Sequence, residues 1–247
     1  MDRLIYTAMT GAKHVFMQQA GTANNLANAS TVGFKAMEHR FRAVPVQGDG
    51  MPTRAFVVDA SVSDVLDEGP MLATGRNLDV AVNGRGWIAL QLPDGSEAYT
   101  RAGGLGVDVN GVLQTSSGFA VAGDGGPITV PPDNRVEIAP DGTVSVVPTF
   151  GTPNTANAIG RIKLVNPPAS ELVRGADGLF RQRNGQAAPV DENVKLSSGT
   201  LEGSNVNVSD AMVNLISLSR QFEMQIKMMQ TADTNAQRAD QLLSLNA

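Results

Sequence analysis

Apolar residues recur along the end of the chain at steps of three and four. Met212, Leu215, Ser219, Phe222, Ile226, Met229, Ala232, Ala236, Ala239 and Leu243 form one line in which nine of ten positions are apolar, and no Gly or Pro interrupts the chain after Ser209. This spacing predicts a single long helix behind an Asn or Ser cap in Asn207-Val208-Ser209. The seam is of the coiled-coil kind, with one three-residue step too many after Met229 that overwinds it locally. A second line, Ile5, Met9, Ala12, Phe16, Ala20, Ala23 and Ala27, predicts a helix over about residues 3–28. Its small members let a neighbour approach closely. The other faces carry Gln18, Gln19, Thr22, Asn24, Asn25 and Asn28, and no Asp, Glu, Lys or Arg occurs from His14 to Phe34. An uncharged amide surface of this kind is expected to end up covered. Gly11 and Gly21 each cost a helix about 1 kcal/mol relative to Ala, so the element depends on partners. Periodicity alone leaves open whether the two helices pack on each other within one molecule or on other copies.

The pattern changes between them. Residues 36–70, punctuated by Pro45, Gly48, Gly50, Pro52 and Gly69, read as an extended linker with some strand, as in Ala55-Phe56-Val57-Val58. From Met71 to about Gly199, short β-branched runs such as Leu78–Val82 and Ile159–Val165 alternate with seven turn signals. These are Asn83-Gly84, Asp94-Gly95, Asn110-Gly111, Asp124-Gly125, Asp141-Gly142, Asp177-Gly178 and Asn184-Gly185. Two-residue turns joining antiparallel strands are expected there, in an all-β sandwich or partly closed barrel. The class is therefore α+β: long N- and C-terminal helices, forming a coiled-coil-type module from 1–35 with 201–247, around a central all-β domain at 71–200.

Composition narrows the chemistry. With a formal net charge of -5 and no basic cluster, the chain lacks a nucleic-acid footprint. It has no cysteine and only two histidines, His14 and His39, which removes thiol chemistry and leaves little for a metal site. No run is long and apolar enough to span a membrane, and the start lacks the pattern of a cleavable signal peptide. Asp108-Val109-Asn110-Gly111 starts like a calcium loop but lacks the closing Glu, and reads as a hairpin turn. Asp94, Glu97, Asp108, Glu137 and Asp141 could supply the carboxylate pair of a glycoside hydrolase, yet no two are singled out. No catalytic residue, cofactor site or metal ligand is expected. The chain reads as an assembly subunit and not as an enzyme.

Two runs carry more. Asn24-Asn25-Leu26-Ala27-Asn28-Ala29-Ser30-Thr31-Val32-Gly33-Phe34-Lys35 resembles the N-terminal signature of the bacterial flagellar axial family of rod and hook proteins. Leu201-Glu202-Gly203-Ser204-Asn205-Val206-Asn207, followed by Met212-Val213 and Arg220-Gln221-Phe222-Glu223, resembles its C-terminal one. Thr74–Val80 and Tyr99–Gly104 extend the likeness, with Asn77 and Arg85 departing from the usual residues. The resemblance implies a structural subunit of the basal-body rod, in its proximal part, with a distal-rod member of the same family as one alternative and, in a different class, an enzyme cutting the peptidoglycan that a rod must traverse as another. It further implies delivery by the flagellar type III export apparatus to the periplasm-crossing rod. There, other rod subunits and further copies of the chain would be the partners, and the terminal helices would line the inner tube.

Overall fold

The computed structural model describes residues 2–45, 55–148 and 156–244. Helix α1 spans Asp2–Ala27 and is followed by β1 (Met37–Pro45) and β2 (Ala55–Asp64). Next come β3 (Met71–Ala73), β4 (Val80–Asn83), β5 (Trp87–Gln91), β6 (Glu97–Thr100), β7 (Leu105–Val107), β8 (Leu113–Thr115) and β9 (Ala120–Gly123). The chain continues through β10 (Gly126–Pro127), β11 (Asn134–Ile138), β12 (Thr143–Pro148), β13 (Asn157–Arg161) and β14 (Leu164–Val165). It closes with β15 (Leu172–Arg174), β16 (Phe180–Gln182), β17 (Lys195–Ser198), β18 (Thr200–Glu202) and helix α2 (Val208–Ser244). This is an α+β chain with a helix at each end and a β-rich middle.

Two compact units share it. One comprises 1–29, 36–65 and 206–247; the other comprises 30–35 and 66–205. The division departs from the expected boundaries at two places. The segment expected as an extended linker with some strand carries β1 and β2, which form an antiparallel ribbon that belongs with the helices. The signature ends 30–35 and 201–205 belong to the β unit instead of the helical one.

In the helical unit, α2 runs antiparallel to α1, since Phe16 meets Phe222 at 6.4 Å between ring centroids while Gly11 lies against the Gln225 side chain. The strand period puts His39 and Phe41 on one face of β1, turned inward, and leaves Glu38, Arg40 and Arg42 exposed. Phe41 stacks on His39 and receives the His14 ring edge-on at 5.4 Å. His14 is thus a packed histidine. Asn25 fastens the ribbon to the helix by imitating a strand: its Oδ1 accepts from Met37 N at 2.9 Å and its Nδ2 donates to Met37 O at 2.8 Å.

In the β unit every strand pairing among the described residues is antiparallel. The largest sheet runs β15-β16-β6-β5-β9-β8-β7, with β10 on β9 and β14 on β5; β11-β12-β13 form another. Val80, Val82, Ile88, Leu90, Leu113, Val121, Val144 and Leu164 fill the main core, and Trp87, Tyr99, Val165 and Phe180 a second cluster. Desolvation pushes the buried Tyr99 hydroxyl up to about 12, although Ala188 N donates to it. The expected Asx-Gly turns occur, but four of them are three-residue loops. At Leu92–Ser96, Asp108–Val112, Ala139–Thr143 and Gly175–Leu179, the first residue's N–H and C=O both bond across the loop, and a glycine of positive φ closes it. A third loop residue in the left-handed region restores the strand twist that a plain type I turn would spoil.

Candidate functional site: the signature clasp and the exposed helix faces

The two signatures meet in the β unit. Strand β18 pairs with β3, which places Glu202 opposite Met71. Gly33 N donates to Glu202 O at 2.8 Å and Asn205 N to Phe34 O at 3.3 Å, so the N-terminal segment runs along the C-terminal one. Gly33 has φ +69, and a methyl group there would overlap the main chain of Arg101 and Ala102. Gly33→Ala is therefore expected to lower the melting temperature of the β unit by several degrees, for a loss of about 2 kcal/mol or more. A calorimetric scan checks this, and an unchanged transition would contradict it.

At the centre of the clasp lies a buried carboxylate held by two cations. Lys35 Nζ is 2.6 Å from Glu202 Oε1 and Arg101 Nη1 is 2.9 Å from Glu202 Oε2, with all three side chains essentially inaccessible. Lys35 also donates to Asp67 O, Gly69 N donates to Glu202 Oε1, and Arg101 Nη2 donates to Gly84 O. Burial pulls the Lys35 ammonium below its ordinary value, against the opposing hydrogen bond and charge of Glu202. Phe34 lies under the Arg174 guanidinium, which also covers Phe180 and donates to Lys35 O. Asn205 Nδ2 reaches Asp67 O, and Ser204 is buried. Buried ions need this degree of pairing, because an unpaired one costs several kcal/mol.

The helical unit carries the remaining signature residues and the predicted seams. Asn24 O accepts from Asn28 N and Nδ2, ending α1; Leu26 is half-buried, Ala27 exposed, and Val206 half-buried ahead of α2. Asn207 caps α2, its Oδ1 accepting from Ser209 N and Asp210 N. Along α2 the predicted line turns largely inward: Leu215, Ser219, Phe222, Ile226, Met229 and Ala236 are half-buried and Ala232 buried. Met212 does not join them. It is exposed, and Ala211 and Leu218 take the inner positions. The side chains of Ala239 and Leu243 lie outside the described residues.

For α1 the predicted line does not describe the covered face. Only Ala12 is buried and Ile5 half-buried; Met9, Phe16, Ala20, Ala23 and Ala27 are exposed. The covered face is Ala8, Ala12 and Val15, continued by Gln18, Thr22 and Asn25. The amides expected to be covered thus are, in part, while large apolar residues face outward. On α2 the outward set includes Met212, Ile216, Met224 and Met228, each about half exposed. Their spacing of four, through Arg220, makes a continuous ridge of the kind that packs into another helix.

The acidic residues weighed for chemistry serve turns. Hydrogen bonds from Ser96, from Val112 N and from Thr143 N hold Asp94, Asp108 and Asp141 below the usual carboxylate range, so none retains a proton to donate at neutral pH. Glu97 is tied to Lys163 at 2.6 Å. Among the described residues no group of three His, Cys, Asp or Glu side chains could hold a metal, and no helix is long and apolar enough to cross a membrane.

Residue-level reading missed Glu202, Arg101 and Arg174, because partners 101 to 167 positions apart leave no local pattern. One signal was present: Lys35 is the first charge after a long uncharged stretch, immediately beside an aromatic residue.

The chain is similar to known proteins along its whole length. Residues 5–35 match the family model described as flagella basal body rod protein, 81–146 the flagellar hook protein FlgE/F/G D1 domain, and 197–242 the flagellar basal body rod FlgEFG protein C-terminal model. The chain is 46% identical to the flagellar basal-body rod protein FlgF of Escherichia coli K12 and 44% identical to that of Salmonella typhimurium LT2, each over the full length of both chains. It is 32% identical to the flagellar basal-body rod protein FlgG of Buchnera aphidicola from Schizaphis graminum, over 89% of this chain and 92% of that one. The family segments matched at 5–35 and 197–242 contain the two chain segments that meet in the clasp, and the chain belongs to the FlgF family of flagellar basal-body rod proteins, structural subunits and not enzymes.

Proposed function

We propose that this chain builds the proximal rod of the flagellar basal body by stacking its terminal helices, as a coiled-coil-type tube lining, against those of neighbouring subunits. The observation that carries this is the outward apolar surface of α1 and α2. Tyr6, Met9, Phe16, Met212, Val213, Ile216, Met224 and Met228 are all exposed on helices that already pack on one another. A lone subunit gains nothing from showing them to water. In a tube, heterologous contacts that do not close bury such faces one neighbour at a time. Other rod subunits and further copies of the chain are the partners. The flagellar type III export apparatus is the route of delivery.

An epitope tag at the exposed Asn184-Gly185 turn tests this. In cells lacking the native gene, the tagged chain is expected to restore swimming and to co-purify with basal bodies. Recovery only from the cytosol, with basal bodies complete without it, would overturn the reading.

A further inference from the structure

Strand β3 is a sheet edge that pairs on one side only, with β18. Gly203 N donates to Pro70 O and Thr74 N to Gly199 O, so the even-numbered residues turn their main chain to β18 and the odd-numbered ones turn theirs away. Met71 and Ala73 therefore hold two N–H and two C=O groups outward, with no partner among the described residues. The lane beside them is open. Residues 70–76 are all exposed, and a side chain on Gly75 would meet nothing within 4 Å.

Both faces of this edge are apolar and wet. Leu72 is 53% exposed on one and Met71 42% exposed on the other. Such an edge is a template for a further strand unless charge or proline blocks it. The terminal strands β11, β13, β15 and β17 carry Arg135, Arg161, Arg174 and Lys195, whereas no charge occurs from Gly69 to Gly75. Pro70 does not block the edge either, because the N–H it lacks would lie on the β18 side.

We infer that β3 pairs with β3 of a second copy of the chain, antiparallel about a two-fold axis through Leu72. In that register Met71 stands opposite the partner's Ala73 and Ala73 opposite the partner's Met71, so the outward N–H groups of each chain meet the outward C=O groups of the other. None is left over. A slip of one residue would instead bring groups already bonded to β18 to the axis. Each long Met71 side chain faces a methyl group, and Leu72 packs on the partner's Leu72 on the other face. Charge agrees as well: Glu68 and Arg76 lie equally far on either side of Leu72, both exposed, so each Glu68 comes towards the partner's Arg76. Arg76 already holds Asp79 at 3.0 Å, but its side chain is 58% exposed and has donors for a second carboxylate. The product is a four-stranded sheet in the order β18-β3-β3-β18, which closes an edge that would otherwise recruit strands without limit. A polar tube has no such axis, so the pair belongs to the free chain and parts before stacking. Its small area makes it weak.

The test uses the full chain carrying Ile216→Asp and Met224→Asp, so that association through the exposed helix face does not enter. The chain contains no cysteine, and Leu72→Cys carries the sole thiol. Opposed residues that are not hydrogen-bonded to each other stand about 4.5 Å apart at Cα, within disulfide range. In oxidised glutathione Leu72→Cys is expected to give a covalent dimer at least about tenfold faster than Val173→Cys, which is similarly exposed on β15. Equal rates would overturn the pairing. Leu72→Lys and Leu72→Glu each set like charges face to face at the axis. Because Leu72 is exposed, both variants are expected to keep the melting temperature within a few degrees. Each alone is expected to sediment as a monomer, and an equimolar mixture to dimerise. A mixture no more associated than its components would refute the contact, and so would either variant dimerising alone as strongly as the chain with Leu72 intact.

Discussion

Glu202→Gln is expected to remove about 3–5 kcal/mol from the stability of the β unit, a large share of what a domain of this size possesses. The amide keeps the shape of the carboxylate, so no cavity forms. It withdraws the one negative charge between Lys35 and Arg101, leaving two buried cations that face each other without compensation. Urea denaturation of the full chain measures the loss through the fluorescence of Trp87, the sole tryptophan, which lies in this unit with Arg101 5.5 Å from its ring. Lys35→Met is expected to cost less, because Glu202 keeps Arg101. A change below about 1 kcal/mol for Glu202→Gln, or the reverse order of the two variants, would show that the triad does not hold the clasp.

A second large effect concerns assembly instead of stability. Ile216→Asp with Met224→Asp places two charges on the outward ridge of α2, where both side chains are more than half exposed. Such surface changes shift folding stability by about 0.5 kcal/mol or less each. Helix content and melting should therefore hold, while rods fail to form and cells stop swimming in soft agar. Phe222→Asp with Ile226→Asp provides the contrast. These half-buried residues pack toward α1, with Phe222 against Phe16, and buried charges there are expected to loosen the helical unit itself. Normal swimming with Ile216→Asp and Met224→Asp would remove the ridge from the assembly surface.

Much of this architecture was readable from residue order. The two terminal helices follow from spacings of three and four, and the strand-rich middle from its Asx-Gly turns, because both are local patterns with local causes. The covered face of α1 was not readable. Met9 and Phe16 weigh more in an apolar line than Ala8 and Val15, yet the helix turns its small residues inward, where α2 comes close enough for Gln225 to lie over Gly11. The three-residue loops escaped because Asp-Gly is compatible with more than one loop length. The clasp escaped for a deeper reason. Glu202 reads as one acid in a strand, and only the folded chain brings Lys35 and Arg101 to it.

The clasp also sets a timetable. A chain made from its N-terminus carries Lys35 early and Arg101 midway, but Glu202 arrives only after some two hundred residues have been joined. The strand that shuts this unit is therefore among the last parts synthesised, and contacts so distant in order form slowly. Until then the nascent polypeptide has no finished β unit, and it stays pliable for as long as it is incomplete.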